Sequence, residues 1–113
     1  MRHTISVLVN NKFGVLSNVS GLFSGRGFNI ESISVGMTLD SAVSQMTIVT
    51  RGDDQIIEQI TKQLNKLIDV IKVVDLVEVD HIEREMVLIK VAPKQEHKAE
   101  VLRITEIFRG RVV

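Results

Sequence analysis

The sequence contains no cysteine, no tryptophan and no tyrosine, a single proline, and no surplus of either charge. Without cysteine there is no disulfide scaffold, no thiolate metal site, no redox pair and no cysteine nucleophile. The 14 Lys and Arg are matched by 14 Asp and Glu. A protein that tracks a phosphate backbone or an anionic membrane normally carries a basic excess, because cations must replace released counterions. Both partner classes are therefore disfavoured. No window approaches the roughly 18 apolar residues of a membrane span, and Met1 leads almost directly into an alternating pattern with no signal or transit segment. These features predict a soluble, unprocessed chain, either in a reducing compartment or indifferent to redox. The three histidines, His3, His81 and His97, are too scattered to bring two onto one metal, so no metal site is expected.

At 113 residues one complete domain fits and two do not. Valine and isoleucine number 30 against three alanines, which favours sheet. Residues 3–9 alternate, with Ile5, Val7 and Val9 on one side, and read as a strand. Turn residues Asn10 to Gly14 follow. Val15, Leu16, Val19, Leu22 and Phe23 then repeat at helical spacing, and Gly27 supplies a left-handed stop. Period two returns at Ile33, Val35 and Met37, and again over residues 44–50, so these two stretches read as a hairpin. Gly52-Asp53-Asp54 opens a second helix, with acidic groups at the positive end of its dipole and a stripe of Ile56, Ile57, Ile60, Leu64, Leu67 and Ile68. Residues 70–79 read as a fourth strand whose alternation changes phase between Val74 and Val77, which predicts a bulge there.

The order strand, helix, strand, strand, helix, strand defines an α+β fold. It is the ferredoxin-like βαββαβ arrangement: a four-stranded antiparallel sheet, both helices on one face, and a polar opposite face carrying Ser6, Ser32, Ser34 and Thr47. The expected organisation is a first domain over 1–79, a polar hinge over 80–85, and over 86–113 the first strand and helix of a second, incomplete βα domain. In that second part Met86 to Ala92 form the strand, and Val101, Ile104, Thr105 and Phe108 line the helix. Its thirty-four residues from 80 onward cannot bury both faces they create, so further chain or a partner is expected to complete it.

No catalytic constellation is present. The serines lack a nucleophile elbow, and Gly25-x-Gly27 lacks the third glycine of a dinucleotide loop and follows a helix. An RNA-binding sheet of this topology needs aromatics on its central strands, yet the four phenylalanines fall in loops or helices. A small acylphosphatase shares the topology but needs an arginine in its phosphate loop, where this chain has Asn10, Asn11 and Lys12. One loop has the makings of a ligand site. Asn11 offers an amide oxygen for an ammonium, and Gly14 at the helix start allows a carboxylate close to free backbone N–H groups. Together these describe a free α-amino acid, with Val15 and Leu16 beside an apolar side chain. The other reading is that Asn11 is a turn residue and Gly14 only suits the backbone. Asn29 and Ile30 form a second such element, and a two-fold dimer edge would bring them from one chain to Asn11 and Gly14 of the other.

The chain resembles, along essentially its whole length, the small regulatory subunits of acetohydroxyacid (acetolactate) synthase. The motifs are Asn11-x-x-Gly14-Val15-Leu16, Gly21-Leu22-Phe23-Ser24, Arg26-Gly27-Phe28-Asn29-Ile30-Glu31-Ser32, Glu58-Gln59-Ile60-x-Lys62-Gln63-Leu64, Glu83-Arg84-Glu85-Met86 and Thr105-Glu106-Ile107-Phe108-Arg109-Gly110. The resemblance implies an ACT domain, an amino-acid sensor of ferredoxin-like fold. It also implies a non-catalytic subunit, homodimeric through that domain, which enhances a large catalytic subunit and confers feedback inhibition by valine or another branched-chain amino acid. No cofactor is then expected on this chain, with thiamine diphosphate, Mg and FAD on the catalytic subunit. The location implied is the cytoplasm, or the plastid stroma for a plastid-encoded chain. By position, Asn11, Gly14, Val15 and Leu16 match the family's ligand loop, and Asn29 and Ile30 match the segment supplied by the other protomer. Lys12 and Phe13 fall at variable-looking loop positions, where the bulky Phe13 alters the pocket rim, and the main departure from the family is the missing end of the second domain. The remaining alternative is a ligand-independent oligomerisation or scaffold module.

Overall fold

The computed structural model describes all 113 residues, Met1–Val113, which divide into two compact units, Met1–Ile82 and Glu83–Val113. The first runs β1 (Arg2–Asn10), α1 (Val15–Gly25), β2 (Ile30–Met37), β3 (Val43–Arg51), α2 (Asp54–Asn65) and β4 (Val70–Asp75), closing with a 3₁₀ turn at Leu76–Glu78. The strands form one antiparallel sheet in the order β2-β3-β1-β4, the ferredoxin-like arrangement expected from the pattern. β1 sits between β3 and β4, and β2 is an edge.

Register explains the core. Ile5 lies opposite Ile48 and Val7 opposite Met46, so these four share the helix-covered face, where all are buried. The helices cover them with Val15, Val19 and Phe23 from α1 and Ile57, Ile60 and Leu64 from α2. α1 ends in a Schellman motif: Phe28 N–H donates to Phe23 O (2.9 Å), Gly27 N–H donates to Ser24 O (3.2 Å), and Gly27 takes φ 72°. The Phe23 and Phe28 rings meet edge to face, with centroids 6.4 Å apart, which supplies the apolar contact that accompanies this stop. At the start of α2 the Asp53 carboxylate accepts the Ile56 N–H at 2.9 Å.

Several expectations need correction. β4 stops at Asp75 because the Asp75 carboxylate accepts the Val77 N–H at 3.1 Å and turns the chain into a 3₁₀ turn where strand was expected through 79. The register irregularity that involves β4 lies between Leu8 and Val9 of β1, where Lys72 and Val70 of β4 are successive partners, and a second lies between Ile30 and Ser32 of β2. Ile68 follows the end of α2 and is exposed. The sheet face opposite the helices also holds buried Thr4 and Val49 among its polar residues.

In the second unit, residues 86–92 form no strand, and residues 111–113 begin none. A strand exists only through backbone partners, and the unit holds no other strand to provide them. The helix does form: a 3₁₀ turn at Gln95–His97 runs into α3 (Lys98–Ile107). None of its side chains is buried, and Phe108 lies exposed beyond its end.

Candidate functional site

The loop between β1 and α1 is pinned to the hairpin loop between β2 and β3. Asn11 N–H donates to Ala42 O at 2.8 Å, and Asn11 Nδ2 donates to Ser41 O at 2.9 Å. Because a carbonyl only accepts, this second bond fixes the amide's orientation and leaves Oδ1 as a free acceptor at the exposed loop. Lys12 N–H donates back to Asn10 O at 2.9 Å, which turns the chain, and Phe13 at the tip is fully exposed.

Gly14 then caps α1 with φ 85° and ψ −6°, a left-handed conformation, and a Cβ built on it meets nothing within 4 Å. No side chain caps this helix and its first turn carries no acidic residue. Val15 N–H reaches Lys12 O only at 3.4 Å, and the first helical bond is Asn18 N–H to Gly14 O at 3.0 Å. The amides of Leu16 and Ser17 are thus left at the positive end of the helix with an open approach. α2 differs in the same chain, with both an Asp53 cap and Asp54 in its first turn. The Asp69 carboxylate, close to the loop, is engaged by Asn10 Nδ2 (3.2 Å) and by Lys12 Nζ (3.7 Å). Val15 points into the core, whereas Leu16 is half exposed beside the free amides.

Asn29 and Ile30 lie elsewhere. Ile30 pairs with Thr50, which pairs with His3, whereas Met37 and Asn10 stand at the far end of β2 and β1. From His3 to Asn10 is seven strand steps, roughly 23 Å. One chain therefore does not bring Asn29 to Asn11. Ile30 packs against the core, Asn29 is exposed, and the Asn29 carbonyl accepts a hydrogen bond from Thr50 Oγ1 at 2.5 Å.

The edge strand that carries this segment has an apolar side. Ile33 and Val35 lie opposite core residues Ile48 and Met46, yet they are 37% and 46% exposed, and Met37 is 64% exposed. The core face thus continues past the helices to an unpaired strand edge. A cavity of about 390 Å³ lies along the hairpin, lined by Ser34, Val35, Gly36, Met37, Gln45 and Thr47, and another of about 330 Å³ lies between α1 and residues 66–70. Neither includes Asn11 or Gly14.

Titratable chemistry is sparse. Glu58 is held below the usual carboxylate range by a hydrogen bond and charge attraction from Lys62, on the wet side of α2. His3 is buried and pairs with Asp75 at 2.8 Å. No three His, Asp or Glu side chains converge on a point that would hold a metal, and no helix is long and apolar enough to cross a membrane. Sequence reasoning missed the anchoring of Asn11 by Ser41 and Ala42, because those partners lie about thirty residues away and bond through backbone carbonyls that have no residue signature. It also missed the His3–Asp75 pair, whose members are 72 positions apart.

Comparison with known proteins adds a family assignment to this geometry. Residues 5–72 match the model of the AHAS small subunit-like ACT domain, and residues 84–113 match that of the small subunit of acetolactate synthase. The chain is 54% identical over 112 residues to a probable acetolactate synthase small subunit of Methanothermobacter thermautotrophicus, covering 98% of this chain and 67% of that one. It is also 54% identical to the acetolactate synthase small subunit of Aquifex aeolicus, covering 99% of this chain and 59% of that relative. Among solved structures, the acetolactate synthase small subunit of Thermotoga maritima superposes with a TM-score of 0.79 at 36% identity, covering all of this chain and 71% of that one.

Proposed function

Because the chain belongs to the acetolactate synthase small-subunit family, we propose that it is a non-catalytic regulatory subunit whose ACT domain binds a branched-chain amino acid and adjusts the activity of the large catalytic subunit. The observation that carries the reading is the uncapped, glycine-led start of α1 with a free amide oxygen beside it. A ligand carboxylate accepts from the Leu16 and Ser17 amides, and Asn11 Oδ1 accepts from the ligand ammonium. Leu16 lies beside the apolar side chain, while Val15 holds the helix start on the core.

The second half of the site comes from another copy. A two-fold axis at the β2 edge would set one chain's Asn29 end against the other chain's Asn11 end and cover Ile33, Val35 and Met37. Regulation follows if the ligand prefers one of two states of the assembly. A coupling of about 1–3 kcal/mol changes activity or affinity roughly 5–150-fold. Thiamine diphosphate, Mg and FAD belong, on this reading, to the catalytic subunit.

A second reading has one observation in its favour. Asn11 already has a structural task through its bond to Ser41, so the loop has a use in a ligand-free scaffold. Calorimetric titration with valine, leucine and isoleucine separates the two, alongside acetolactate formation by a mixture with the matching large subunit. A sensor releases or takes up heat with at least one of the three and responds to it in the assay. A scaffold activates the large subunit and ignores all three.

A further inference from the structure

Thr50 is fully buried, and its hydroxyl donates to the carbonyl of Asn29, a residue of the candidate effector segment. Its cross-strand partner is His3, 5% exposed, so the two side chains leave the same face of the sheet as direct neighbours, with Cβ atoms about 4.5–5.5 Å apart. His3 Nδ1 bonds Asp75 Oδ2 at 2.8 Å, and Asp75 Oδ1 accepts the Val77 N–H that starts the turn Leu76–Glu78. His3 Nε2 is buried with no hydrogen-bond partner. A carboxylate only accepts, so Nδ1 carries a proton, and in the neutral imidazole Nε2 is then a buried acceptor with an unmet lone pair. A buried acceptor left unmet is costly, and a hydroxyl stands next to it.

We propose that Thr50, His3 and Asp75 are positioning residues that hold the Asn29 segment and carry its state to the turn at Leu76–Glu78, with the Thr50 hydroxyl exchanging between the Asn29 carbonyl and His3 Nε2. The inference rests on the reading of Asn29 as part of an effector site. When the segment engages a ligand and its carbonyl withdraws, the freed hydroxyl satisfies Nε2. Hydrogen bonds in a chain polarise one another, so the imidazole then donates more strongly to Asp75 and draws charge from the oxygen that holds Val77. The turn beyond β4 loosens.

The test uses the whole chain as wild type, Thr50→Ser, which keeps the hydroxyl, and Thr50→Val, which keeps the shape. Nitrogen NMR of His3, amide exchange and calorimetry are read on the same samples, with and without valine. Without ligand, Thr50→Val should speed exchange at the amides of residues 29–31 about fivefold, the loss of one ordinary hydrogen bond, while Thr50→Ser stays near wild type. Equal exchange in all three overturns the positioning role, whatever valine does. With valine, His3 Nε2 should move upfield and Val77 exchange should rise in wild type and Thr50→Ser, and neither should change in Thr50→Val even where heat reports binding. Saturation by heat with an unmoved Nε2 in wild type, or the same movement in Thr50→Val, overturns the switching. No heat from valine, leucine or isoleucine in wild type overturns the effector reading and the switching with it, and the ligand-free arm still decides the anchor.

Discussion

Replacing Gly14 by alanine separates the conformational demand of the α1 entry from its role toward a ligand. Gly14 sits at φ 85°, and an added Cβ meets nothing within 4 Å, so the methyl group costs backbone strain and no steric clash. A left-handed non-glycine residue costs about 1–2 kcal/mol, partly offset by the smaller conformational freedom of alanine in the unfolded chain, for a net loss of roughly 1 kcal/mol. For a unit the size of Met1–Ile82 this lowers Tm by about 4–8 °C. In the proposed site a ligand carboxylate reaches the Leu16 and Ser17 amides past the bare Gly14 Cα, so an added methyl should lower affinity for a branched-chain amino acid about tenfold or more, equivalent to about 1.4 kcal/mol. Ile60→Val, in the core under α2, is the matched control: it loses about 0.5–1.5 kcal/mol and leaves the loop alone. Thermal melts by circular dichroism and calorimetric titration of both variants decide. An unchanged Tm for Gly14→Ala would refute the strain argument. Undiminished binding by Gly14→Ala, or an equal drop in Ile60→Val, would refute the placement of the carboxylate.

Asn11→Ala should abolish calorimetric binding and also loosen the Leu39–Ala42 loop through loss of the bond to Ser41, seen as faster amide exchange there. Val35→Asp places a charge on the exposed β2 edge and should turn the proposed dimer into monomers in sedimentation, with the concentration dependence of its Tm lost as well. Phe23→Ala removes a fully buried ring and its contact with Phe28, so denaturant titration should register a loss of about 3–5 kcal/mol. In Glu58→Gln the partner of Lys62 is neutral. Since Glu58 is held below its ordinary range in the folded state, its small contribution exists above the unfolded carboxylate range and is lost as pH falls through the lowered folded value. Urea melts of wild type and variant should therefore differ slightly at neutral pH, converge in acid, and converge in high salt.

Local pattern carried most of the first unit. β1 and β3 keep period two at Ile5, Val7 and Val9 and at Met46 and Ile48 because one face meets the helices, although Thr4 and Val49 are buried on the other, and α2 has both a capping Asp53 and an apolar stripe, so period and punctuation agree. Residues 76–79 failed because their alternation resembles strand while a single carboxylate upstream redirects the backbone. Residues 86–92 failed for a different reason: Val87, Leu88 and Ile89 have strand composition, and composition supplies no partner strand. At the candidate site, the glycine at the α1 entry was legible because few residues accept its conformation. The distance between Asn11 and Asn29 was not, because it depends on register across three strands.

The central place of β1 has a consequence for synthesis. β1 leaves the ribosome before both of its partners, β3 and β4, whose paired residues follow it by 33 (Asn10 and Val43) to 70 (Ile5 and Asp75) positions. Until β4 emerges, one side of β1 has nothing to bond, and its run of Ile5, Val7 and Val9 must wait unprotected. Closure by Val70–Asp75 is thus the step that commits the nascent sheet, and chains halted before it should be the ones that chaperones and proteases capture.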